Sequence, residues 1–229
     1  MEFNLKYSTE FYDYSKMIPE GQAIVKSDFI RGLTEELMGI GYSEEHGWFI
    51  ANSVCGQMTN PSLHYHTACH VLGIFQFAQE HNITLSNEEA FAIWFHDAIY
   101  FTSSKPRDNE RASAMFFQSM TYPKFTTAET MKIVNLIEAT ALHCEDKVAT
   151  RYHLLLDLDL FNFSMPPEIC KLSTDLVAKE YADIPPEDYA KGRKAFMQKL
   201  LSKGYVYRTE YFKQFEKQAR ENIEAIINN

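Results

Sequence analysis

Apolar residues recur along most of the chain at three- and four-residue intervals, the spacing that lines side chains up on one face of an α-helix. Phe29, Ile30, Leu33, Leu37 and Ile40 form the first such stripe, with Ser27 placed to open a helix and Gly41 to close it. A further helix is predicted from near Leu63 to just before Asn82, carrying His66, His70, Ile74 and Phe77 on one face and Val71, Phe75 and Ala78 beside them. Ser86 followed by Glu89 reads as a capping box, and the run it opens, AFAIWFHDAIYF, is apolar nearly all round, so this helix is expected at the centre of the fold. After the polar turn TSSKPRDNE comes a predicted helix through Ala112, Met115 and Phe116. Thr126 with Glu129 opens another through Ile133, Val134, Ile137 and Ala141, with His143 at its end.

HLLLDLDLFNF is too apolar for a loop, and its leucine content and helical neighbours favour a buried helix over a strand. Pro166-Pro167 and Pro185-Pro186 suit first helical turns, predicting helices over about 167–182 and 187–203, the second stopped by Gly204. Phe212, Phe215, Ala219, Ile223 and Ile226 form a last amphipathic stripe. There is no internal repeat, low-complexity tract or long linker. The simplest account is one all-α domain over 1–229, a helical bundle with its core at about 60–165 and C-terminal helices over about 166–229 packed on it.

Composition narrows the function. A chain of 229 residues with 45% hydrophobic and 14% aromatic content can bury a sizeable core. A net charge of -9 argues against a nucleic-acid polymer or an anionic membrane as partner. An anionic substrate would then need local positive charge, which a bound metal can supply. Cys55, Cys69, Cys144 and Cys170 make no CxxC pair or disulfide framework, which suits a reducing cytoplasm. The opening MEFNLKYSTEFYDY has no secretory pattern, and no stretch approaches the roughly 18 apolar residues of a membrane span. The expectation is a soluble, cytoplasmic protein, with homo-oligomerisation left open.

Candidate chemistry comes from acidic residues in greasy surroundings. His96 and Asp97 follow Ile93, Trp94 and Phe95 and precede Ala98, Ile99 and Tyr100. An ionised aspartate unpaired in such a place costs several kcal/mol, so it must become neutral, find a cation or bind a metal. The adjacent imidazole favours a mixed N/O site for a divalent ion such as Mn, Fe, Co, Ni or Zn. Asp157 and Asp159 interrupt a second apolar run; two residues apart on a helix, they point about 200° from each other, so one of them faces the site, with Asp159 preferred and Asp157 the alternative. Upstream, His66 and His70 in YHTACH are four apart, so either is a candidate ligand.

Taken in order, a first histidine, a His-Asp doublet thirty residues on and a distal aspartate resemble the HD superfamily of metal-dependent phosphohydrolases. YHTACH, WFHDAIY, RDNERAS and LDLDLF are similar to the phrases of one bacterial branch of that superfamily, and KEYADIPPEDYAKGRKAF, VYRTEYF and ARENI resemble its C-terminal half, so the resemblance covers about residues 60–225. YHT stands where the branch has YHN, and LFNF where it has LxILG. The resemblance implies an all-α HD fold and a divalent metal (Mn, Mg, Fe, Co, Ni or Zn) held by His66, His96, Asp97 and Asp159. It also implies a metal-activated water that attacks phosphorus in a small phosphorylated metabolite or nucleotide. His70 would orient or protonate beside the metal, Asn109 and Glu110 would act near the leaving group, and Lys179 and Arg193, with Arg111 and Arg208, would contact phosphate. Two other readings stay open: a metal-containing regulatory module without turnover, and an HD-type di-iron oxygenase, which would recruit His70 and His143.

Overall fold

The computed structural model describes residues 19–228 apart from 104 and 106, with side chains described from residue 23 onward. Among these residues the secondary structure is wholly helical: α1 (Pro19–Gly39), α2 (Glu44–Gln57), α3 (Ala68–Glu80), α4 (Asn87–Phe95), α5 (Asp108–Thr121), α6 (Thr127–Ala139), α7 (His153–Asp159), α8 (Pro167–Glu180), α9 (Pro186–Ser202) and α10 (Glu216–Asn228). Short 3₁₀ turns at Thr140–Leu142, Thr150–Tyr152, Phe161–Ser164 and Phe212–Phe215 join several of them. The all-α expectation holds. No described helix is long and apolar enough to cross a membrane.

The chain forms two compact units that meet in sequence between Ala141 and Leu142. The first contains α1 to α6. Here α1 packs on α2 and α3, and α4 packs on α3, α5 and α6. As its composition demands, α4 is the centre: Phe91, Ala92, Ile93, Trp94 and Phe95 are all fully buried. Phe29 meets the Trp94 ring edge-on at 4.9 Å and Phe75 lies 4.5 Å from it, so three helices share one aromatic contact. Burying each such ring contributes about 1.5–3 kcal/mol. Both expected capping boxes form, Ser86 with Glu89 and Thr126 with Glu129. Gly41, at φ +91°, ends the α1 region in the left-handed turn that glycine adopts without strain.

α2 has no counterpart in the sequence reading. Its buried residues Gly47, Ile50, Ala51, Val54 and Cys55 do follow helical spacing, but two glycines, and a Ser43 cap followed three residues on by His46 rather than Glu or Gln, obscure it in sequence. Gly47 is there because α1 comes close: a Cβ would sit 3.3 Å from the Thr34 carbonyl oxygen.

The second unit contains α7 to α10. HLLLDLDLFNF becomes the short α7 and the turn Phe161–Ser164, with Leu155, Leu156, Leu158, Phe161 and Phe163 buried. α10 packs on α8, α9 and both neighbouring 3₁₀ turns.

Candidate metal centre

In the first unit the site is built at two helix ends. Thr67 caps α3, its side chain accepting from the Cys69 N–H, so the helix starts five residues later than Leu63. His66 therefore lies in the turn ahead of α3, and His70 in the first helical turn, rather than one above the other on a single face. At the other end, α4 stops at Phe95 and His96 is its cap, where the sequence pattern carried the helix on through Tyr100. The reason lies in α5. Ser113 Oγ accepts from the Ile99 N–H at 3.0 Å and donates to the Ile99 carbonyl, while the Asn109 amide accepts from the Phe101 N–H at 3.0 Å and donates to its carbonyl at 3.1 Å. These four bonds give the Ile99 and Phe101 backbone groups partners outside a helix, where the chain runs as turn and bend.

The two ends bring His70, His96 and Asp97 together. His96 Nε2 lies 3.4 Å from His70 Nε2 and 3.1 Å from Asp97 Oδ2, and Asp97 Oδ2 lies 3.8 Å from His70 Nε2. Both imidazoles are 1% exposed. The other nitrogen of His96, Nδ1, sits 2.9 Å from the Ile93 carbonyl. A carbonyl only accepts, so Nδ1 carries the proton, and in the neutral ring the Nε2 lone pair faces the Asp97 carboxylate. Lone pairs this close repel unless a cation lies between them. Donor atoms about 2.1 Å from a common divalent ion stand roughly 3.0–3.4 Å apart, close to the spacing seen. The donor set and geometry fit a metal ion, and the carbonyl-fixed tautomer is the arrangement that metal-binding histidines require.

His66, expected as first ligand, borders this group; its ring stacks on Tyr100 at 3.8 Å and its centroid lies 6.2 Å from that of His70. His70, assigned a role beside the metal, is in the convergent set instead. Asn109, expected near a leaving group, spends its amide on the Phe101 backbone. Glu110 is half-buried in the first turn of α5, the helix start that Asp108-Asn109-Glu110 resembles on general grounds. Cys69, next to His70, is buried, and burial pushes its thiol far above the ordinary value, so it stays protonated rather than offering a thiolate.

In the second unit the two aspartates of α7 separate cleanly. Asp157 is 1% exposed and saturated: Oδ1 accepts from the Arg208 N–H at 2.8 Å, and Oδ2 accepts from the Thr209 N–H at 2.7 Å and its hydroxyl at 2.6 Å. Burial raises its carboxyl above the usual range, and the bonds from Thr209 and Arg208 offset part of that rise. Asp159 Oδ2 instead meets His143 Nε2 at 2.8 Å. The His143 carbonyl accepts from Arg208 Nη2 at 3.2 Å and from the Lys203 ammonium. Lys203 and Thr209 were not singled out from sequence, because nothing local marks a residue as the partner of one fifty positions away.

Lys179 is exposed in the last turn of α8. Arg193 in α9 lies over the ring of Phe196, 5.6 Å from its centroid, and its Nε is buried with no hydrogen-bond partner among the described residues.

The fold and site thus define an all-helical protein with a buried His/Asp group able to hold a metal ion. Comparison with models of known protein families gives no match, and no curated protein matches the chain.

Proposed function

We propose that the chain is a metal-dependent phosphohydrolase of the HD type, acting on a small phosphorylated metabolite or nucleotide. The observation that carries this reading is the convergence of His70 Nε2, His96 Nε2 and Asp97 Oδ2, with both imidazoles buried and the His96 tautomer fixed by the Ile93 carbonyl. Asp159 is the distal carboxylate implied by the HD resemblance, and its pairing with His143 gives that carboxylate a defined orientation. Asp159 is favoured over Asp157 for that role because both Asp157 oxygens already accept from backbone N–H groups.

A divalent ion bound by these residues supplies Lewis acidity toward phosphoryl oxygens and lowers the pKa of a bound water. The residues themselves do the rest. His96 offers Nε2 without any change of protonation, because the Ile93 carbonyl holds its proton on Nδ1. Asp97 supplies negative charge, and Asn109 and Ser113 fix the backbone that follows it. Aromatic neighbours, Tyr65 beside His70 and Tyr100 stacked on His66, limit water around the imidazoles.

The test is metal content of protein purified without added metal, together with a phosphate-release screen over phosphorylated metabolites in several divalent ions. We expect metal to copurify with the wild type, and both metal and phosphate release to be lost in His96→Ala and Asp97→Ala. Absence of metal from the wild type, or undiminished release by the variants, overturns the reading. Two irons per chain would move it to oxygenase chemistry, with the His143–Asp159 pair as the place to look for further ligands.

A further inference from the structure

Beyond the metal group, the second unit has an open groove of about 760 Å³, within the size range of small-molecule sites. Lys147, Tyr205, Arg208, Lys213 and Glu216 line it. Arg208 is held unusually firmly for a long side chain. Its Nη2 donates to the carbonyls of Leu142, His143 and Glu145 at 3.3, 3.2 and 2.6 Å, while Asp157 grips its backbone N–H. One nitrogen thereby fixes the guanidinium plane, and the other N–H groups have no acceptor among the described residues. A fixed fork of N–H donors is what recognises an oxyanion with two oxygens, and its ordering entropy is already spent before a ligand arrives.

Lys147 and Lys213 add two cations beside Arg208, against Asp146 and Glu216, and Lys213 is paired with the exposed Glu210. Glu216 directs its oxygens to the N–H groups of Val206 and Tyr207, and so faces the backbone. Burial, and next the neighbouring Arg208 charge, hold the Lys203 ammonium below its ordinary value. The Tyr205 ring centroid is 5.3 Å from the Lys203 ammonium and 5.7 Å from the Arg208 guanidinium, and its hydroxyl donates to the Asp146 carbonyl. It offers a fixed aromatic wall.

We infer that this groove binds the phosphate of a small molecule, with Arg208 as the oxyanion fork and Lys147 and Lys213 as flanking charges. The inference rests on the phosphohydrolase reading only for the choice of phosphate as the oxyanion; the binding itself needs no metal. Inorganic phosphate is therefore titrated calorimetrically into full-length protein freed of metal with a chelator, at low ionic strength. One phosphate per chain is expected, weakened roughly tenfold or more by Arg208→Lys, which keeps the charge and loses the fork, and by Lys147→Glu. Lys171→Glu, on the exposed face of α8, serves as control and leaves it unchanged. If Arg208→Lys fails to fold, Lys147→Glu and Lys213→Glu, at exposed positions, carry the test. No binding to the wild type, or equal binding by wild type and groove variants as for an adventitious ion only, overturns the inference. Loss of metal in His96→Ala with phosphate binding intact separates failure at the metal group from failure here.

Discussion

His96 is the most constrained residue of the site, because a carbonyl fixes one nitrogen and a carboxylate faces the other. Replacing His96, Asp97 or His70 with Ala should each lower bound metal at least about tenfold, as measured by elemental analysis after dialysis. His66→Ala distinguishes the two histidines of YHTACH: metal content close to wild type is expected, since His66 stacks on Tyr100 outside the convergent set. Asp157 leads to a different prediction. Asp157→Ala removes the acceptor of two half-buried N–H groups and should cost about 2–4 kcal/mol in urea unfolding. Because burial holds its carboxyl above the usual carboxylate range in the folded state, its contribution is fully present below the unfolded value and is lost as pH rises through the folded one. The stability of wild type relative to Asp157→Asn should therefore fall as pH rises through that mildly acidic interval. Sequence revealed that both aspartates sit in apolar surroundings, and could not show which was saturated, because the donors at 208 and 209 lie some fifty residues on.

At the scale of elements, the sequence periodicity located nine of the ten described helices, yet misjudged the ends that build the site. Thr67 starts α3 late, and Ser113 with Asn109 stops α4 early. Both are side chain to backbone bonds, and the second pair reaches across from another helix, so hydrophobic spacing carries no trace of it. α2 escaped for the opposite reason: its pattern is regular, but Gly47 and Gly56 weaken the local signal, and Gly47 is demanded by the approach of α1 rather than by helix formation. If the Asn109 clamp orients the segment after Asp97, then Asn109→Ala should cost only about 1 kcal/mol in stability while weakening metal binding about tenfold. Equal metal affinity in the variant would reduce Asn109 to a helix-start residue.

For the molecule as a whole, the all-α class was legible because helical spacing persists over nearly every segment. The division at Ala141–Leu142 was not, since short loops join the helices on both sides and composition does not change there. Metal binding should register globally: with the ion at about 100 times its Kd, the folded state gains about 2.7 kcal/mol, so thermal unfolding of the wild type should move up by several degrees on metal addition, while His96→Ala should not respond. The grip of Asp157 on Arg208 and Thr209 also bears on how the chain reaches this state. During synthesis α7 emerges about fifty residues ahead of its donors, so its carboxylate must wait in water until Arg208 and Thr209 have followed. The second unit should therefore close late and all at once, and a chain ending before Arg208 should leave a sticky, protease-sensitive remnant rather than a smaller folded protein.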